Sequence, residues 1–167
     1  MRFRCGVSEQ GFTLTEAVVA AAISALFLSS LFTMNLSSME TIRSAKETTV
    51  ASQVLQQRMV SMRIANWHEI TDAAWVRDNL LNIEAAGGDQ LKNLVETATL
   101  VPYGSATIGN TQLQRSGGVA TIVTENTNLL LENAVKIIWQ LDYTGAPNNH
   151  AVTHQIVAIL AKGGVAK

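Results

Sequence analysis

The sequence predicts an α+β fold: a long amino-terminal helix, its first half apolar enough to span a membrane, packed on a C-terminal antiparallel sheet of three or four strands. Three observations predict it. Neither Gly nor Pro occurs between Phe12 and Ile64, so nothing breaks a helix there. Of the 28 residues from Phe12 to Met39, 18 are apolar and Glu16 alone is charged. The last third alternates apolar and polar residues and contains the turn-forming run Thr144-Gly145-Ala146-Pro147-Asn148-Asn149.

The first element sets the class of protein. About 20 apolar residues cross the roughly 30 Å hydrocarbon core of a bilayer, so residues 12–39 can span one. Arg2 and Arg4 precede this segment, which by the positive-inside rule keeps the amino end in the cytoplasm and sends the rest outward. A secretory signal has a shorter apolar run and a small-residue cleavage site, and Asn35-Leu36-Ser37 is a poor one. A plain anchor has no use for Glu16, since a carboxylate at the bilayer centre costs about 2.5–3.5 kcal/mol and less near an interface. The next cation along the helix, Arg43, lies about 40 Å away at 1.5 Å per residue. A cut after Gly11 supplies a partner: it gives Phe12 a free amine, four residues from Glu16 and on the same helical face. That amine can meet its own Glu16 or that of a neighbouring subunit, where the pairing would set axial register.

Gly11-Phe12-Thr13-Leu14-Thr15-Glu16, a short basic leader and an apolar helix together resemble the class III leader of type IV pilins and type II secretion pseudopilins. The likeness covers residues 8–36 closely and the remainder in outline. It implies cleavage by a prepilin peptidase between Gly11 and Phe12, N-methylation of Phe12, and contact of Glu16 with the amine of an adjacent subunit. Many major pilins carry a helix-kinking proline midway along this segment. Thr33 stands there in this chain, which fits a minor pilin or minor pseudopilin. Retention of Glu16 argues against the extreme tip subunit, which in secretion pseudopili often lacks the acid. The implied organisation is a leader over 1–11, the transmembrane and assembly half of a helix over 12–39, and an outer pilin-like domain over 40–167.

The helix is expected to continue to about Ile64. Ile42, Ala45, Thr49, Ser52, Leu55, Met59 and Met62 form a weak apolar stripe, with Arg43, Lys46, Glu47, Gln53, Gln57 and Arg58 largely off it. Thr71 or Asp72 can cap a helix running to about Ala86 and ended by Gly87-Gly88, with Trp67 and Trp75 covering the end of the sheet. Asp89 to Glu96 reads as a further short helix, with Leu91, Leu94 and Val95 facing in. Ala98–Tyr103 reads as a strand, Gly104–Gly118 as a loop with at most one short strand, and Val119–Glu125 as a second strand. Ala134–Tyr143 alternates most clearly: Val135, Ile137, Trp139, Leu141 and Tyr143 share one face. Val152–Lys162 returns beside it as a hairpin, with Val119–Glu125 placed alongside.

Composition and motifs narrow the function. Net charge is -1, and residues 40–167 hold 10 Lys and Arg against 11 Asp and Glu, so no nucleic-acid partner is expected. One cysteine, Cys5, excludes an intrachain disulfide and a cysteine-built zinc site. No nucleophile elbow, phosphate loop or zinc-protease helix is present, so no enzymatic activity and no cofactor are expected. His150 and His154 lie about 13 Å apart on a strand, too far for one metal, and the four aspartates show no calcium-loop spacing. The expected role is a structural subunit of a type IV pilus or type II secretion pseudopilus. Its expected partners are other pilin or pseudopilin subunits, the prepilin peptidase and an inner-membrane assembly platform. Its expected place is the inner membrane, with the outer domain in the periplasm. The alternative is an anchored adhesion or binding module exported with a pilin-like leader, with the Gly104–Gly118 loop as its first candidate site.

Overall fold

The computed structural model describes residues 13–104 and 109–163. The expected leader over 1–11 and Phe12, with the expected cut between them, lie outside the described residues. The described chain divides into two compact units, one ending at Glu40 and the other beginning at Thr41.

Helix α1 (Leu14–Ile64) is 51 residues long and enters both units. In the first unit it is a bare apolar surface: Val18, Ile23, Leu26, Phe27, Phe32 and Met39 are each more than half exposed. An 18-residue window has a mean hydropathy of 2.1 and no buried residue, so the helix is long and apolar enough to cross a membrane.

In the second unit the end of α1 packs on a five-stranded antiparallel sheet, which bears out the α+β class. The strands are β1 (Lys92–Pro102), β2 (Thr111–Ser116), β3 (Val119–Thr124), β4 (Ala134–Gly145) and β5 (His150–Ala161), in spatial order β3-β2-β1-β4-β5. The predicted β4 face is buried at every position: Val135, Ile137, Trp139, Leu141 and Tyr143. It meets Val50, Ala51, Val54, Leu55, Met59 and Met62 of α1, together with Val76, Leu80 and Leu81 from the connector. The β4–β5 hairpin is longer than the turn signal suggests, because Thr144 and Gly145 still pair with Ala151 and His150.

Several expectations are corrected. Ile42, Ala45 and Thr49 are exposed, and the packed stripe starts at Val50, sharing Leu55, Met59 and Met62 with the expected one. Arg58, expected off the stripe, is buried within it. The connector helix is broken into α2 (Trp67–Thr71), α3 (Ala73–Val76) and a π-helical turn over Arg77–Leu81, so it stops before Ala86. Asp72 does cap it, accepting the Ala74 N–H at 2.9 Å. Asp89–Glu96 is not a helix. Gly88–Gln90 forms a single 3₁₀ turn and β1 starts at Lys92, with Leu91 buried but Leu94 and Val95 only half-buried. Val95, Thr97, Thr99 and Val101, mostly β-branched on one face, and Glu96, Ala98 and Leu100 on the other make this a strand. The loop before Gly118 does contain one short strand, β2. Strand β3 pairs with β2 at the far edge, and β1 rather than β3 lies beside the hairpin.

Candidate functional site

Helix α1 begins with a reciprocal cap. Thr13 donates from its backbone N–H at 3.0 Å and from its hydroxyl at 2.8 Å to the same oxygen of Glu16, Oε2. The Glu16 N–H donates back to the Thr13 hydroxyl at 3.3 Å. This is the capping box that Thr-x-x-Glu encodes, and it supplies acceptors for amides that the first turn leaves without carbonyls. Glu16 therefore has a local partner in the isolated chain. The predicted Phe12 amine falls outside the described residues.

Beyond Glu16, polar side chains in the apolar half turn inward on the helix. The Thr33 hydroxyl donates to the Ser30 carbonyl at 2.9 Å, and the Ser38 hydroxyl to that of Met34 at 2.9 Å. Such back-bonding satisfies hydroxyls where water is absent. Ala17, Ala21, Ala25 and Ser29 recur every fourth residue, on one side of three turns. Small residues at this spacing let a second helix approach closely. This pattern was readable in the sequence and was missed beside the more conspicuous acid.

The second concentration of charge is buried in the outer domain. Arg58 of α1 grips Glu96 of β1 with two nitrogens, Nε to Oε2 at 2.8 Å and Nη2 to Oε1 at 3.0 Å. Its remaining reach is taken by the carbonyls of Leu80 at 2.6 Å and Ile83 at 2.9 Å. Its guanidinium carbon lies 5.8 Å from the Trp139 ring centroid. Arg115 of β2 reaches Glu96 Oε1 at 3.2 Å. One buried carboxylate thus serves two buried guanidiniums and joins helix, connector and sheet. Sequence reading missed all three residues, because buried charges at core-facing positions are uncommon.

Other polar groups are structural. Glu47 accepts the Ala146 N–H at 2.8 Å and pairs with Arg43 at 3.1 Å, tying α1 to the β4–β5 turn. Tyr143 stacks on His154 with ring centroids 5.9 Å apart, and burial pushes the Tyr143 phenol up from its ordinary value. Asp78 is held low by hydrogen bonds from Arg77 on an exposed surface. His150 lies against the Pro147 carbonyl. Among the described residues no group of three His, Cys, Asp or Glu side chains is placed to hold a metal ion. Searches against known protein families, curated proteins and solved structures find no significant match to this chain.

Proposed function

We propose that this chain is a structural subunit of a filament of the type IV pilus or type II secretion pseudopilus kind, as a minor subunit. The observation that carries the reading is α1. Its apolar half presents a bare surface with one carboxylate in the first turn, and its other end supports a compact α+β domain. An exposed apolar helix is stable in a membrane or against other such helices, and the Ala17–Ser29 series suits the second. In this reading the precursor is inserted with its amino end in the cytoplasm. A prepilin peptidase cuts it between Gly11 and Phe12, Phe12 is N-methylated, and an inner-membrane platform extracts the subunit into the filament. Glu16 exchanges its Thr13 contacts for the amine of the next subunit, which sets register while helix burial supplies affinity. The outer domain lies in the periplasm, makes lateral contacts and performs no catalysis.

The test is the intact mass and amino-terminal sequence of protein extracted from its native membrane. A chain beginning at methylated Phe12 is expected. A chain beginning at Met1, or cut beyond Met39, would sink the reading.

A further inference from the structure

The outer domain carries a cavity of about 520 Å³ between the Gly88–Leu91 turn, the start of β1 and the β2–β3 hairpin. Arg115 lines it, as do Glu84, Asp89, Asn93 and Ser116. Asn93 stands in the left-handed region, φ 52°, where the β1–β4 register shifts. Such a bulge opens a strand and re-aims what surrounds it.

The charge arrangement asks for a ligand. Glu96 is already held bidentately by Arg58, whose donors are engaged by Glu96 and two carbonyls. Arg115 has a longer, single-nitrogen contact to Glu96, and its side chain is only 10% exposed. Its Nε is buried with no hydrogen-bond partner among the described residues. Two buried guanidiniums against one carboxylate leave an excess positive charge, a costly arrangement unless an anion completes it. The guanidinium fork matches a carboxylate. Glu84 and Asp89 are exposed elsewhere on the cavity lining, and neither is ion-paired to Arg115. Their charge disfavours a polyanion and favours a ligand that also carries a cation.

We propose that this cavity binds the carboxylate of a zwitterion, an amino acid or a short peptide terminus, with Arg115 taking the carboxylate and Glu84 and Asp89 favouring the ammonium. The site is independent of the apolar helix, so its failure leaves the subunit reading untouched.

The test uses the full chain in detergent micelles with ¹⁵N-labelled arginine, following the Arg115 Nε–H resonance, assigned with Arg115→Lys. Alanine, N-acetylalanine and trialanine are titrated against sodium chloride at matched ionic strength. Saturable shifts with all three probes and none with chloride are expected. Leu94→Trp adds bulk at a half-buried lining residue whose side chain lies beside Gly88, another lining residue, and leaves Glu96 in place. It should keep the fold and weaken binding roughly ten-fold or more. Alanine should bind more tightly than N-acetylalanine, and Glu84→Gln combined with Asp89→Asn should remove that preference. Tightest binding of alanine identifies a free amino acid, and of trialanine a peptide terminus. Absence of a saturable shift, an equal shift with chloride, or unchanged binding in Leu94→Trp would overturn the site. Equal affinity for alanine and N-acetylalanine would overturn the assignment of a zwitterion.

Discussion

Removing the Glu96 carboxylate leaves the buried Arg58 and Arg115 guanidiniums facing each other without a counter-charge. Glu96→Ala should therefore lower stability by about 3–5 kcal/mol, the usual consequence of breaking a buried ion pair. Urea unfolding of the full chain in micelles, followed by Trp fluorescence, measures it. An unchanged midpoint would mean the cluster contributes nothing net. Tyr143 makes a prediction in pH. Burial holds its phenol above the ordinary 10.0, so the folded chain keeps a proton that the unfolded chain releases first. Its contribution is complete below about pH 10 and is lost as pH rises through the folded value. Tyr143→Phe should flatten the alkaline fall in stability relative to the parent, read as the difference between two unfolding series above pH 9.5. Parallel curves would show that another group titrates there.

The β2–β3 connection is a Gly117-Gly118 pair with φ of 58° and 85°, and open space where a Cβ would stand at either position. Any penalty there is a matter of backbone conformation alone, the geometry of a two-residue hairpin of primed type. Gly117→Ala should cost about 1–2 kcal/mol without altering the fold. A thermal midpoint equal to the parent's would contradict that. At this scale the sequence was unevenly legible. Strand β4 is plain because five consecutive inward positions are apolar. The start of strand β1 was misread, although Ala98–Tyr103 was read as a strand, because its first inward residue is Glu96 and Leu91, Leu94 and Val95 fall at helical spacing. Strand β2 was expected only as one short strand somewhere in a loop, because its inward residues are Thr111, Leu113 and Arg115, only one of them apolar. Arg58 was placed off the α1 stripe for the same cause. Pattern rules equate inward with apolar, and the three shortfalls meet in one buried charge cluster. The apolar half of α1 was legible because no Gly or Pro interrupts it and Glu16 is its lone charge, whereas the cap by Thr13 required geometry.

The whole chain combines a surface that water does not favour with a domain that folds around its own core. In the proposed filament the Glu16 carboxylate decides whether insertion leads to assembly. Glu16→Ala should leave the protein in the membrane fraction at parental levels and reduce its recovery in sheared filaments at least roughly ten-fold, the loss expected when a charged pair is removed from a low-dielectric bundle. Immunoblots of both fractions from a host lacking the parental copy measure this, and equal recovery would remove the register argument. The sheet has a bearing on how the protein must be handled. Strand β5 ends it over 12 residues, His150–Ala161, with neither proline nor a formally charged side chain and with Val157 and Ile159 exposed. Natural edges are commonly guarded by lysine, proline or a bulge. Crowded at high concentration, the protein offers a ready seed for intermolecular β-aggregation, so its solubility depends on what stands beside that edge.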